Sequence, residues 1–223
     1  MLVVIGGHSR NIGKTSVVAG LIAALPDLHW TAVKITQYGH GICSTEGHAC
    51  DCAGADPDHP FALTQESDPA GKADSSRYLA AGADRSYWLR TAAGNLGNAL
   101  PALHGIIRSS ENVIFESNSV LQFFTPDVYL LVADFAIDDF KPSSLKYLDR
   151  ADALVVVDRK TEHPLWRGVS HKLWETKKRF CVKPPQYVTE AIAAFVRGRL
   201  TSSATPSGSQ DADSSGPEPA GVR

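Results

Sequence analysis

The sequence lacks both a long hydrophobic run and a strong excess of charge of one sign. It has 223 residues, of which 43% are hydrophobic, and its net charge is −2 at pH 7. No apolar stretch approaches the roughly 20 residues that cross a bilayer, and the first apolar run leads into a glycine-rich turn instead of a signal cleavage site. No segment concentrates Lys and Arg, as nucleic-acid binding requires. We therefore expect a cytoplasmic protein that binds neither membranes nor nucleic acids.

Several signatures of particular activities are also missing. The sequence has no Gly-x-Ser-x-Gly elbow, which argues against a serine hydrolase. It has no Asn-Lys-x-Asp signature, so the residues alone do not distinguish guanine from adenine nucleotides. It has no internal repeat, and a chain of this length buries one sizeable core, so we predict one domain over residues 1–200. Residues 201–223 are mostly Ser, Pro, Gly and acidic residues, a composition that predicts a disordered tail.

The N-terminal segment contains a phosphate-binding loop. Residues 2–5 (LVVI) predict a buried strand, and the apolar stretch from Val17 predicts a helix. Between them lies the pattern G-x5-G-K-T, which is one residue longer than the usual spacing and has His8 where a glycine is usual. Such a loop directs backbone N–H groups and a helix dipole at an anion, so we predict a bound nucleoside triphosphate. The predicted nucleotide-binding residues are Gly7, Ser9, Arg10, Asn11, Ile12, Gly13, Lys14, Thr15 and Ser16.

Three residues carry the chemistry that this loop predicts. Lys14 would direct its charge at the β- and γ-phosphates, and the Thr15 hydroxyl would be a ligand to Mg²⁺. Glu116 ends the predicted strand 112–115, at the sheet edge where a carboxylate can coordinate the same Mg²⁺ or activate water. The alternative for Glu116 is an acid that merely ends a strand in solvent.

Predicted strands and helices alternate along the chain. The strands are expected at 2–5, 30–36, 86–90, 112–115, 128–133, 153–157 and 179–182, and later helices at 73–83, 98–109 and 187–200. This alternation is typical of a mostly parallel sheet covered on both faces. We therefore predict a P-loop NTPase fold, a three-layer α/β/α architecture. Cys181 falls in the last strand and is predicted to be a buried apolar side chain.

Residues 37–72 form a long stretch without sustained periodicity, which contains three of the four cysteines. Because this stretch leaves the carboxyl end of a strand, we expect it to lie over the nucleotide. Thiolates beside imidazole suit Zn²⁺ or an iron–sulfur centre. However, C-x6-C-x-C is not a standard zinc spacing, so a polar loop without metal remains the alternative. The candidate metal ligands are Cys43, Cys50 and Cys52, with His48 or His40.

Residues 69–83 (PAGKADSSRYLAAGA) resemble a segment of the MobB family, the molybdopterin-guanine dinucleotide biosynthesis adaptors, which carries P-G-K-D-S-x5-A-G-A after its second strand. The resemblance covers roughly residues 1–135. It implies a GTP-binding protein, often a homodimer, that assists the nucleotidyltransferase of the molybdenum cofactor. The family's aspartate and serine correspond to Asp74 and Ser75, and Asp74 joins Lys14 and Glu116 as a predicted catalytic residue. Here Ala73 interrupts the family's Gly-Lys-Asp-Ser run.

The longer phosphate loop has a different resemblance. Its spacing is similar to that of dethiobiotin synthetase, which implies a small ATP-dependent enzyme of kinase or ligase type. Two functions therefore stay open: an adaptor in cofactor biosynthesis with weak NTP hydrolysis, and an ATP-dependent enzyme. Both require GTP or ATP together with Mg²⁺.

Overall fold

The computed structural model describes residues 1–38 and 60–203, which form one eight-stranded sheet with helices on both faces. The strands are β1 (Leu2–Gly7), β2 (Trp30–Tyr38), β3 (Phe61–Gln65), β4 (Arg85–Ala92), β5 (Asn112–Glu116), β6 (Val128–Asp134), β7 (Ala153–Val157) and β8 (Lys178–Val182). The helices are α1 (Lys14–Ala24), α2 (Asp74–Ala80), α3 (Leu100–Arg108), α4 (Pro142–Leu145) and α5 (Glu190–Ser203). Within these residues, no helix is long and apolar enough to cross a membrane.

The sheet order places the phosphate loop at the centre of the molecule. The strands run β3-β4-β2-β5-β1-β6-β7-β8, and all neighbouring pairs are parallel except β3 with β4. Ile5 of β1 is paired with Glu116 of β5, and Gly7 is paired with Val132 of β6. Because these strands are parallel, the ends of β1, β5 and β6 meet at one edge of the sheet, where open α/β sheets bind ligands.

Two apolar layers cover the sheet. On one face, Val3 and Ile5 of β1 pack with α1, α2 and α5 in one buried cluster. On the other face, Val4 packs in a second cluster that contains α3 and the aromatic side chains near the end of β6. Every residue of β1, β5, β6 and β7 is buried, as expected for central parallel strands covered on both faces. The predicted three-layer α/β/α fold with a mostly parallel sheet is confirmed.

The structure differs from the sequence-based expectations at β3. Phe61–Gln65 lies inside the stretch that we expected to be irregular, and it pairs antiparallel with β4 at the sheet edge. None of its five residues is fully buried, so the apolar signal that marks a central strand is weak here. Residues 39–59 and 204–223 lie outside the described part of the chain, and with them the candidate ligands His40, Cys43, His48, Cys50 and Cys52.

Two further boundaries and one burial prediction also differ. Helix α1 begins at Lys14, three residues before the predicted start, because the polar residues 14–16 form its first turn. Helix α5 spans Glu190–Ser203 in place of the predicted 187–200. The prediction that Cys181 is buried is wrong: its side chain is exposed, because β8 is an edge strand whose Phe180 and Val182 occupy the covered face.

Candidate functional site

The phosphate loop borders a cleft of about 780 Å³ at the carboxyl edge of the sheet. Two residues with a left-handed backbone conformation shape the loop, Asn11 at φ 52° and Gly13 at φ 96°. Gly13 directly precedes α1, and a Cβ atom at this position would overlap the ring of Tyr187. The loop residues that line the cleft are Arg10, Asn11, Ile12, Gly13, Lys14, Thr15 and Ser16. The end of β1 and the start of α1 therefore present seven of the nine predicted nucleotide-binding residues to the cleft.

The side chain of Asn118 fixes the beginning of the loop. The N–H of Gly7 donates to Asn118 Oδ1 at 2.8 Å, and Asn118 Nδ2 donates to the Gly7 carbonyl at 2.9 Å. The buried Ser144 hydroxyl of α4 donates to the same carbonyl at 2.5 Å. A Cβ atom at Gly6 would overlap Asn118 Oδ1 and lie 2.9 Å from the Tyr129 ring, so only glycine fits there. Both polar groups of the Gly7 backbone are thus used inside the protein.

The residues after Gly7 are held from the β6 side. The Ser9 hydroxyl donates to Asp139 Oδ2 at 2.5 Å, and His8 Nε2 accepts the backbone N–H of Asp134 at 3.0 Å. His8 Nδ1 therefore carries the proton and donates to the Asp139 carbonyl at 2.8 Å. Burial lowers the pKa of His8, so the imidazole stays neutral between the rings of Phe140 and Trp166. His8, which stands where a glycine is usual, therefore fixes the longer loop to Asp134 and Asp139.

A network of charged side chains converges on Glu116, which is 2% exposed. Thr15 Oγ1 donates to Glu116 Oε2 at 2.8 Å, and the Tyr78 hydroxyl donates to the same oxygen. Lys34 Nζ contacts Glu116 Oε1 at 2.5 Å and Asp74 Oδ2 at 2.8 Å. Burial alone would lower the pKa of Lys34, but the two carboxylates outweigh it and the pKa is raised. Burial together with the Glu116 charge raises the pKa of Tyr78 well above its usual value.

Lys14 lies beside this network with its ammonium group in the loop. Its Nζ donates to the Ser9 carbonyl at 3.1 Å. Burial lowers the pKa of Lys14, while the charge of Glu116 opposes that shift. The carbonyl contact places the ammonium near the beginning of the loop, which is the β/γ-phosphate end in proteins with this motif.

The segment 69–83 contributes directly to the cleft. Asp74 begins α2 and lines the cleft together with Arg77, whose Nη2 donates to Ser16 Oγ at 3.1 Å. Ser75 and Ser76 donate to Glu66 Oε2, each at 2.9 Å, which ties the start of α2 to the residue after β3. The segment therefore positions a carboxylate and a guanidinium group at the rim of the phosphate loop.

The structure brings together Lys14, Thr15, Asp74 and Glu116 among the residues that the sequence predicts. It places Gly7 and the Ser9 side chain at the base of the loop, in contact with Asn118 and Asp139. Sequence reasoning missed the roles of Lys34, Tyr78 and Asn118. Signals for them exist: Lys34 interrupts an apolar strand, Tyr78 lies in the segment 69–83, and Asn118 follows Glu116 by two residues.

The donor set of the cleft fits a magnesium ion. Thr15, Glu116 and Asp74 offer a hydroxyl and two carboxylates, the oxygen ligands that Mg²⁺ prefers beside a triphosphate. Across residues 1–38 and 60–203, no group of three or more His, Cys, Asp or Glu side chains is arranged to hold a metal by itself.

The parallel sheet and the loop between β1 and α1 define a protein with the α/β fold of P-loop NTPases. No protein-family model matches the sequence, and no curated protein matches it either. Among solved structures, the chain is similar to HypB from Helicobacter pylori in complex with nickel, with a TM-score of 0.49 and 15% identity over 93% of this chain and 90% of that one. It is also similar to LpxK from Aquifex aeolicus in complex with ATP, with a TM-score of 0.45 and 19% identity over 81% of this chain and 53% of that one.

Proposed function

We propose that the protein binds a nucleoside triphosphate together with Mg²⁺ in the cleft and hydrolyses it slowly. The observation that carries this proposal is the convergence of Lys14, Thr15, Asp74 and Glu116 at the mouth of the phosphate loop. Backbone N–H groups at the start of α1 would hold the phosphates, and Lys14 would neutralise charge at the β/γ end. Thr15, Asp74 and Glu116 would hold Mg²⁺, which supplies positive charge to the phosphate oxygens.

The contacts of Glu116 favour slow hydrolysis. A general base needs a free lone pair that faces the attacking water. Here Oε2 accepts hydrogen bonds from Thr15 and Tyr78, and Oε1 contacts the ammonium of Lys34. Three of the four lone pairs of the carboxylate meet these donors, and the remaining one would hold Mg²⁺, so none is left to remove a proton from water. A protein with this site acts better as a nucleotide-dependent switch than as a fast hydrolase.

We propose further that this switch is an adaptor in molybdopterin-guanine dinucleotide biosynthesis. The support is the MobB-like segment 69–83, which supplies Asp74 to the cleft, Tyr78 to Glu116 and Ser75 to the contact with Glu66. Through these contacts, the residues of the segment act on one site. A GTP preference, a molybdenum-cofactor nucleotidyltransferase as partner, a homodimer and a cytoplasmic location belong to this proposal.

A second candidate is an ATP-dependent enzyme of the dethiobiotin synthetase type. The observation that favours it is the half-buried Lys34, whose ammonium lies in the cleft beside two carboxylates and beyond the phosphate loop itself. A cation at that position can hold an anionic acceptor next to the γ-phosphate. The acceptor would be a carboxylate or a hydroxyl compound.

Calorimetric titration tests the proposal and separates the two candidates. GTP, ATP and their non-hydrolysable analogues are titrated with Mg²⁺ into the wild type and into Lys14→Ala. Loss of a charge-assisted hydrogen bond of about 1.5–3 kcal/mol weakens binding by about 10- to 150-fold. Lys72→Ala is the matched control, because Lys72 is exposed and does not line the cleft. Undiminished affinity in Lys14→Ala contradicts the proposed site; a GTP preference supports the adaptor, and an ATP preference supports the enzyme.

A further inference from the structure

The described residues of the cleft carry more positive charge than a magnesium-bound triphosphate neutralises. Within residues 1–38 and 60–203, the lining includes five cationic side chains and two carboxylates, a net charge of +3. The cationic residues are Arg10, Lys14, Lys34, Arg77 and Lys141. A fully ionised nucleoside triphosphate with one Mg²⁺ carries a charge of about −2, because four negative charges meet two positive ones. At least one positive charge on these described residues is left for another anion.

The unbalanced charge lies on one side of the phosphate loop. Lys34 contacts both carboxylates, and Arg77 Nη1 lies 3.8 Å from Asp74 Oδ1. In the described part of the chain, no carboxylate lies within ion-pair distance of Arg10 or Lys141. Both are half-buried, so solvent screens their charges only in part. Such a concentration of like charge is unfavourable unless an anion joins it.

The position of Lys141 indicates at which end of the cleft the unbalanced charge lies. Its backbone N–H donates to the His8 carbonyl at 2.8 Å, at the beginning of the loop, where Lys14 also contacts Ser9. This is the γ-phosphate end of the loop. Tyr187 marks the opposite end, because it packs against Gly13 at the start of α1. With a triphosphate in the loop, Lys141 would therefore lie on the side of the γ-phosphate and away from the nucleoside.

We propose that Lys141 and Arg10 form a second anion subsite that binds an oxyanion group, a phosphate or a carboxylate, of a second ligand next to the γ-phosphate. The inference rests on the proposed function, since the triphosphate occupies the phosphate loop itself. The groups that face Lys141 are Lys14 of α1, Arg10 of the loop, Lys34 of β2 and Asp139. Burial, then Lys14 and Arg10, lower the pKa of Lys141 to about 8, against the opposing charge of Asp139. A bound anion relieves this repulsion and stabilises the ammonium form.

Sulfate is the probe for the subsite, because it stays a dianion over the pH range of interest. The wild type, saturated with Mg²⁺ and a non-hydrolysable triphosphate, is titrated with sodium sulfate at constant ionic strength. We expect one further sulfate to bind, Lys141→Met to weaken its binding about tenfold, and the triphosphate affinity to change by less than about threefold. Lys146→Met is the matched control, because Lys146 is an exposed lysine five residues away that does not line the cleft.

The pH dependence separates this role from a merely structural one. Sulfate binding to the wild type weakens as the pH rises through the pKa of Lys141, at or above about 8. Lys141→Arg restores sulfate binding and removes this dependence between pH 7 and 10, because arginine stays charged. A parallel titration with acetate identifies the class of ligand: sulfate binding alone indicates a phosphorylated ligand, and comparable acetate binding indicates a carboxylate.

Two results overturn the inference. One is a wild type that binds no anion besides the triphosphate; the other is Lys141→Met losing triphosphate affinity as strongly as Lys14→Ala, which assigns Lys141 to the γ-phosphate. If the wild type binds no triphosphate, the proposed function fails by itself. A sulfate titration of the protein without nucleotide then tests the subsite. Loss of sulfate binding in Lys141→Met supports the subsite, and undiminished sulfate binding rejects it.

Discussion

Replacement of Glu116 by glutamine tests the charged network at its centre. The Glu116 side chain faces three donors, the hydroxyls of Thr15 and Tyr78 and the ammonium of Lys34. A glutamine amide has one acceptor oxygen, and its NH₂ group only donates. The substitution therefore removes one negative charge and places the amide NH₂ group against one of these donors. Because Glu116 is 2% exposed, water cannot reach the amide that replaces its carboxylate.

The expected destabilisation follows from the contacts that remain. Breaking a buried ion pair by removing one partner costs about 3–5 kcal/mol. Lys34 still contacts Asp74 at 2.8 Å and is 17% exposed, so the cost lies below that range. The lost charge-assisted hydrogen bond accounts for about 1.5–3 kcal/mol. We expect Glu116→Gln to lower the free energy of unfolding by about 2–3 kcal/mol, which for a chain of this size lowers Tm by about 4–12 °C.

Urea unfolding at pH 7.5 measures this effect, with Lys34→Met and the double variant completing a thermodynamic cycle. The double variant should lose at least about 1 kcal/mol less than the sum of the single variants, because removal of both charges leaves neither one unpaired. Glu111→Gln is the matched control, since Glu111 is exposed just before the same strand and should change stability by less than about 0.5 kcal/mol. Additive losses in the cycle would refute the coupling.

The same variant has a consequence for turnover. We expect Glu116→Gln to retain most of its triphosphate affinity and to hydrolyse the triphosphate at least about tenfold more slowly, because Glu116 orients Thr15 and holds Mg²⁺. Phosphate release over hours measures this rate. Unchanged turnover in a folded variant removes Glu116 from the mechanism and makes Asp74 the next candidate.

Three further predictions concern the phosphate loop and the cysteines of residues 37–72. The pKa of His8 is lowered in the fold, so its contribution to stability is complete above pH 6.5. Below that pH, the free energy of unfolding should fall by at most about 1.4 kcal/mol per pH unit. His8→Gln should flatten this part of the stability profile measured with urea. Gly6→Ala should destabilise by about 1–3 kcal/mol through overlap with Asn118, whereas Gly105→Ala, with open space around it inside α3, should stabilise slightly in the same thermal melts. Elemental analysis of untagged protein should find Zn²⁺ or iron that Cys50→Ser and Cys52→Ser lose; a metal-free wild type contradicts the predicted metal site.

The fold was predictable because its central strands are continuous apolar runs. β1, β5, β6 and β7 are buried on both faces, so their sequences carry a strong signal, and the glycines of the phosphate loop fix the turn between β1 and α1. The edge strands β3 and β8 are only partly covered. A half-exposed strand needs fewer apolar residues, and for this reason β3 was missed and Cys181 was misjudged.

The site was predictable only where a motif names its residues. The loop pattern identifies Lys14 and Thr15, and the segment 69–83 identifies Asp74. Lys34 joins them through the pairing of β2 with β5, in which Lys34 is registered with Glu116, and no local pattern contains that register. Lys141 reaches the cleft because its backbone N–H contacts the His8 carbonyl, 133 positions earlier in the chain. Such long-range contacts belong to the topology and cannot be deduced from spacing.

The tethering of residues 7–9 by Asn118 and Asp139 has a kinetic consequence. Ordering a loop residue costs about 1–2 kcal/mol of conformational entropy, and this chain meets that cost when it folds. An arriving anion therefore meets a cradle that is already formed, and the encounter is guided by the positive charge of the cleft. Association should be fast and should slow steeply with added salt, while differences in affinity between nucleotides should appear in their rates of dissociation.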